Sequence, residues 1–209
     1  DGSCLATLSH DCTVNMYRRS QQTSWSPTDD SSNHKMVPLY YLVAKCTFQC
    51  TPECMVFAPV PEVQSDDGSD GNTTERSFRL LVATRDSVYL KSVFMSCGKR
   101  GAPQVSDLIM LNEKCWDSHV SITPLHLSLS PDNRHLLVCT EKDVHFVLDT
   151  SYLSLLSDTD IVQANDTMKE RRSKRLALLC GHNSGSFPKP AASWSADGNY
   201  TYSNSDNDS

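Results

Sequence analysis

Hydroxyl, imidazole and carboxylate side chains recur along this chain in groups that could support nucleophilic catalysis. In a serine-type hydrolase, a histidine takes the proton of the attacking hydroxyl and an acid orients that histidine. The grouping returns with each copy of a sequence repeat, whereas an enzyme needs one such triad. No Gly-x-Ser-x-Gly motif surrounds any of the serines in these groups. The sequence therefore predicts no catalytic residues and favours a structural role for the groups.

The cysteines are the second set of residues that could carry chemistry. There are nine of them, an odd number, with no Cys-x-x-Cys pair, which predicts a reducing, intracellular location, cytoplasmic or nuclear. Cys46, Cys50 and Cys54 are spaced by four and could hold a metal ion. No nearby histidine completes a zinc set of the usual spacing, so the sequence predicts buried thiols, no metal and no cofactor.

A repeated phrase positions these groups: a turn aspartate, an apolar strand, a hydroxyl, an acid and a second strand. Asp1, Asp132 and Asp197 each precede the hydroxyl of their copy by eight residues. Asp132 and Asp197 are 65 residues apart, and Asp1 precedes Asp132 by 131 residues, about twice that period. A middle copy at 78–90 keeps the strand and Thr84 but lacks the turn aspartate. A fixed period of this kind indicates a repeat architecture.

Short apolar runs separated by turn residues predict an all-β chain. The predicted strands cover residues 4–10, 13–18, 39–48, 53–58, 78–84, 87–94, 105–111, 124–130, 134–140, 144–149, 176–180, 191–195 and 200–205. Three polar inserts, at 20–35, 61–77 and 157–175, are too hydrophilic to bury and are expected to form loops.

Two phrases carry a family resemblance: Gly181-His182 before a strand, and Ala192-Ser-Trp-Ser-Ala-Asp-Gly198 from a strand into a turn. With the opening residues 1–14 they resemble the WD-repeat β-propeller family. The resemblance implies four-stranded antiparallel blades, about three and a half of them. The predicted blades are 1–48 (incomplete), 49–112, 113–180 and the start of a fourth at 181–209. Because closed propellers have about 4–8 blades, we expect a fragment of a larger propeller that begins upstream and needs its remainder for closure.

The resemblance also implies a hydrogen-bonded network in each blade, made by a histidine before the first strand, a hydroxyl ending the second and an aspartate in the next turn. Mutual bonding would satisfy these polar groups on burial and lock the loop onto the turn. The residues matching this network are His119, Thr140 and Asp143, then His182, Ser205 and Asp208, and in the first copy Ser9 and Asp11.

The function that the resemblance implies is a non-enzymatic scaffold that binds other proteins and assembles a multiprotein complex. The alternative is an enzyme or small-ligand binder using the central channel, where the innermost predicted strands offer Glu53 and His126. A net charge of -6 argues against general nucleic-acid binding. The longest apolar stretch, 38–44, is far shorter than the ~20 residues of a membrane span.

One basic segment interrupts this acidic chain, and we call it the basic run. Its cations are Lys169, Arg171, Arg172, Lys174 and Arg175. Such a cluster predicts either a nuclear address or docking to an acidic partner, with a merely solvated loop as the alternative. Ser173 lies among these cations as a candidate phosphorylation site, because a phosphate there would reverse the local charge.

Overall fold

The computed structural model describes residues 2–20, 39–60, 77–85, 89–95, 102–110, 123–141, 144–154, 175–180 and 191–203. These residues form thirteen β-strands and one short 3-10 turn, Ser151–Ser154. The predicted all-β class is confirmed.

The strands pair antiparallel into four sheets. The first contains β1 (Cys4–Ser9), β2 (Thr13–Arg19) and β3 (Tyr40–Thr47). The second contains β4 (Pro52–Ala58), β5 (Phe78–Thr84), β6 (Tyr89–Met95) and β7 (Gln104–Met110). The third contains β8 (Pro124–Leu129), β9 (His135–Thr140), β10 (Val144–Asp149) and β11 (Arg175–Cys180). The fourth contains β12 (Ala192–Trp194) and β13 (Thr201–Ser203).

The sheets follow one another as the blades of a partial propeller. The inner strands β4, β8 and β12 are neighbours in that order, and β1 lies against β4. Hydrophobic cores fill the spaces between successive sheets. Strand β5 is buried along its whole length because it has a sheet on each side. Its Leu80 and Val82 pack toward the first sheet, whereas Leu81 and Ala83 pack toward the third, as the alternation of side chains along a strand requires.

The repeat found in the sequence is visible in the backbone. The residue after each repeat aspartate has a left-handed conformation: φ is 69° at Gly2, 59° at Asn133 and 74° at Gly198. Glycine and asparagine tolerate this region better than other residues, so the turn chemistry of the three copies matches.

The insert predicted at 157–175 reaches one residue too far. Arg175 is the first residue of β11, where it pairs with Leu148 across an irregularity in the ladder. This pairing extends the strand into the end of the basic run. The predicted limits of the blades stay a prediction, since segments 111–122 and 181–190 lie outside the described residues.

Candidate interaction surface

The loops at one end of the blades meet to form what we call the upper rim: residues 9–13, 48–53, 84–85, 123–124 and 140–141. Backbone hydrogen bonds join these loops. The N–H of Phe48 donates to the carbonyl oxygen of Cys12 at 2.8 Å, and the N–H of Arg85 donates to that of Thr51 at 2.8 Å. The Cys54 thiol, 3.6 Å from the Pro124 carbonyl oxygen, links the second blade to the third at this end.

In the first copy the structure brings together the two residues predicted for the network. The N–H of Asp11 donates to Ser9 Oγ at 3.4 Å. The Asp11 carboxylate accepts from the backbone N–H and the hydroxyl of Thr13, at 3.2 and 2.5 Å. The Thr13 and Ser9 hydroxyls lower the pKa of Asp11, so the carboxylate stays ionised as an acceptor within its own turn. Thr13 is a member of this group that the sequence analysis missed.

Of the remaining residues predicted for the network, only Thr140 lies within the described residues. Thr140 is buried, and its backbone N–H donates to His145 Nδ1 at 3.4 Å. His119, Asp143, His182, Ser205 and Asp208 lie outside the described residues. The network in these copies therefore stays a prediction.

At the opposite end, the lower rim, two turns 65 residues apart have the same hydrogen bonds. Ser130 Oγ donates to the Asp132 carboxylate at 2.5 Å, and Ser195 Oγ donates to that of Asp197 at 2.5 Å. Each serine oxygen also accepts a backbone N–H five residues later, from His135 at 2.9 Å and Tyr200 at 3.0 Å. The serine hydroxyls lower the pKa of both aspartates. Neither serine was among the candidates from the sequence, although each stands two residues before a repeat aspartate, a shared spacing that could have found them.

The third and fourth blades are joined beside these turns. Trp194 Nε1 donates to the Ser128 carbonyl oxygen at 3.0 Å, and the indole lies 5.9 Å from the His135 ring, centroid to centroid. Ser128 and Ser193 hydroxyls are 3.3 Å apart. The joint is therefore polar at the lower rim and apolar above it, where Leu137 and Ala192 pack together.

The two channel candidates lie on different inner strands. His126 is on β8, and its Nδ1 is buried with no hydrogen-bond partner in the part of the chain that the structure describes. Glu53 is on β4, and its side chain is 1% exposed. Glu53 Oε1 accepts from Arg85, whose Nε and Nη2 lie 2.7 and 2.6 Å away. Glu53 was a candidate from the sequence, whereas Arg85 was not, because 32 residues separate the two partners.

The three evenly spaced cysteines do not form a metal site in the structure. Cys46 and Cys54 are buried in separate strands, whereas Cys50 is exposed between them. Burial raises the pKa of Cys46 to about 11, which favours a neutral thiol over the thiolate that binds metals. Within the described ranges, no group of three or more His, Cys, Asp or Glu residues could hold a metal ion.

No model of a protein family matches the sequence, and no curated protein matches it either. Among solved structures, Kuenenia stuttgartiensis hydrazine synthase is similar with a TM-score of 0.50 and 13% identity, over 93% of this chain and 53% of that one. The WD40 domain of Toxoplasma gondii coronin gives a TM-score of 0.43 at 10% identity, over 92% of this chain and 34% of that chain. Chaetomium thermophilum Sqt1 was solved bound to the N-terminus of ribosomal protein L10. It gives a TM-score of 0.42 at 12% identity, over 83% of this chain and 38% of that chain.

Adjacent inner strands, four-stranded antiparallel sheets and a turn repeated at a 65-residue step decide the fold. The chain has the fold of a partial β-propeller with four-stranded antiparallel blades. At 10 to 13% identity the likenesses concern the fold and not an activity. This propeller chain spans about half, or less, of the length of the three structures.

Two further features of the propeller chain bear on partner docking and on membrane spanning. Lys169, Arg171, Arg172, Ser173 and Lys174 lie outside the described residues, so docking by the basic run stays a prediction. Across the segments that the structure describes, no helix is long and apolar enough to cross a membrane.

Proposed function

We propose that this chain is a non-enzymatic protein-interaction module, part of a larger propeller that helps to assemble a multiprotein complex. The observation that carries the proposal is the upper rim. Loops from three consecutive blades are fixed there by backbone hydrogen bonds, and each presents an exposed charged residue: Asp11, Arg85 or Glu141. A rigid rim with solvent-facing side chains is a suitable platform for a protein partner.

The state of the turn carboxylates supports a non-enzymatic role. Asp11, Asp132 and Asp197 each accept hydrogen bonds from a hydroxyl and a backbone N–H of their own turn. The pKa of each is lowered, which moves these groups away from the near-neutral pKa that suits a general acid or base. Their repeated hydrogen bonds are those of structural turns.

A small ligand in the central channel is the second candidate. One observation favours it: the buried His126 Nδ1, which has no hydrogen-bond partner among the described residues. Buried polar atoms are usually paired, so a ligand or water could supply the missing bond. This hypothesis predicts that a small-molecule library will contain compounds that raise the melting temperature of the intact protein and do not raise that of His126→Phe.

The experiment that tests the scaffold is quantitative affinity purification of the tagged full-length protein from cells. A rim variant, His10→Ser with Gln49→Ser and Glu141→Ser, changes three exposed side chains. Val105→Ser on the exposed outer strand β7 is the control. We expect the rim variant to lose a specific set of partners that the control retains. Equal recovery would contradict binding through the rim, and the absence of any specific partner would contradict the function. The predicted intracellular location is part of this proposal, and imaging the same tagged protein tests it.

A further inference from the structure

Arg85 at the upper rim is held in place at both ends. Its backbone N–H donates to the Thr51 carbonyl oxygen at 2.8 Å. Its guanidinium places Nε and Nη2 at 2.7 and 2.6 Å from the same oxygen of Glu53. The Glu53 side chain is 1% exposed, whereas the Arg85 side chain is 54% exposed. One edge of the guanidinium is therefore fixed to the inner strand, and the other faces solvent.

The third blade repeats this loop without the ion pair. Thr123-Pro124 corresponds to Thr51-Pro52, and the N–H of Glu141 donates to the Thr123 carbonyl oxygen at 3.0 Å, as Arg85 does to Thr51. At the position of Glu53 the third blade has Leu125, and at the position of Arg85 it has Glu141. The blade architecture thus forms with an apolar residue in place of the buried acid.

Burying a carboxylate against a cation is a poor way to gain stability, because desolvation opposes the attraction and apolar replacements are often equal or better. The third blade has such a replacement. What the pair does provide is an exposed guanidinium whose orientation is already fixed. Ordering a side chain before binding reduces the entropy that a partner must overcome.

The solvent-facing edge of the Arg85 guanidinium indicates which chemical group it can bind. In the described residues, Arg85 Nη1 has no hydrogen-bond partner, and a guanidinium carries five donors suited to carboxylate oxygens. The equivalent turns of the flanking blades carry the exposed acids Asp11 and Glu141, which repel a strongly anionic surface. A single carboxylate with neutral or basic neighbours would accept from Arg85 and would be repelled little by Asp11 and Glu141.

We propose that Arg85, oriented by Glu53, is the anchor that binds a single Asp or Glu side chain of a partner protein. This inference rests on the proposed function, because it names the partner chemistry of the same rim. Glu53 is a positioning residue in this arrangement, and Arg85 makes the contact.

The test uses random peptides displayed on phage and selected on the intact protein. Selected peptides should share one acidic position, and changing that acid to its amide should weaken binding about tenfold. Since Arg85→Gln alone would leave Glu53 buried without this cation, the binding-deficient variant is Glu53→Leu with Arg85→Gln, which restores the apolar residue of the third blade. It should bind about tenfold more weakly and show no further loss with the amide peptide.

Two controls make the result specific. Arg134→Gln removes an exposed arginine from the lower rim, at the opposite end of the blades, and should retain binding of the selected peptides. Glu53→Leu alone keeps Arg85 but removes the carboxylate that orients its guanidinium. This variant should lose part of the affinity for the selected peptides, while its melting temperature stays close to that of the double variant. Selected peptides without a shared acid, or equal binding to the double variant, would overturn the inference and leave the scaffold intact. Failure to select any peptide would count against both.

Discussion

Arg79 is the buried cation whose replacement should destabilise this propeller most. Its side chain is 0% exposed, and Nη1 donates to the carbonyl oxygens of Leu153 at 2.7 Å and Pro59 at 3.3 Å. Pro59 follows β4, whereas Leu153 belongs to the 3-10 turn of the third blade, so one guanidinium joins two blades. A hydrogen bond from a charged donor contributes about 1.5–3 kcal/mol, and an orphaned buried carbonyl costs about 1–3 kcal/mol.

Arg79→Met keeps most of the volume and removes every donor. Relief from burying a charge offsets part of the loss, so we expect the free energy of unfolding to fall by about 2–4 kcal/mol. The free energy of unfolding of Arg79→Lys should lie between those of the unchanged protein and Arg79→Met. The lysine ammonium can still reach the Leu153 carbonyl oxygen, but it lacks the planar set of donors that a guanidinium has.

The assay is equilibrium unfolding in urea of the intact protein, followed by circular dichroism. Lys91→Met on the adjacent strand β6 is the matched control. Lys91 pairs with Asp107 at 2.7 Å, but the two side chains are 26% and 50% exposed, and such pairs contribute about 0–1 kcal/mol. If Arg79→Met lowers the free energy of unfolding no more than Lys91→Met does, the Arg79 guanidinium does not hold the two blades together.

Three further predictions concern the turns and the basic run. Because the pKa values of Asp132 and Asp197 are lowered, each carboxylate stabilises the folded state fully above its ordinary pKa of 3.8 and loses that effect as the pH falls below it. Urea midpoints measured between about pH 5 and pH 3 should therefore depend less on pH in Asp132→Asn and Asp197→Asn, and an unchanged slope would contradict this. His182→Ala should lower the stability of the intact propeller by about 1–3 kcal/mol without removing an activity, and an unchanged melting temperature would exclude the network. Changing the five cations of the basic run to serine should reduce salt-sensitive partner recovery and alter localisation, as should phosphorylation of Ser173, whereas unaltered recovery and localisation would show a solvated loop.

Much of the fold could be predicted because its signals are local. Strand 78–84 was predicted at the bounds that the structure gives, from one apolar run between polar segments. The turn at Asp197-Gly198 follows from an aspartate and a residue that tolerates positive φ. A turn aspartate followed after eight residues by a hydroxyl, recurring along the chain, predicted the repeat, and the family resemblance predicted the succession of blades.

Arg79 shows why other parts could not be predicted. Alternation along a strand normally sends a charged side chain to solvent, which would place this arginine on an exposed face. Sheets on both sides of β5 leave no exposed face, so Arg79 is buried and its Nη1 donates to backbone carbonyl oxygens inside the protein. Its partner oxygen lies 74 residues later, in a turn that no local pattern connects to it.

The Glu53–Arg85 pair was within reach of the sequence, but only by comparing two blades residue by residue. Thr51-Pro52 and Thr123-Pro124 set the register between the loops, and in this register the blades differ at the positions of Glu53 and Arg85, which meet in space. An acid and an arginine occupy these positions in one blade, and a leucine and an acid occupy them in the next. Since both blades form the same loop, the difference cannot be required by the architecture. Divergence between repeats that share a backbone is therefore where a binding residue in this chain is best sought, and Arg85 is the exposed member of such a divergence.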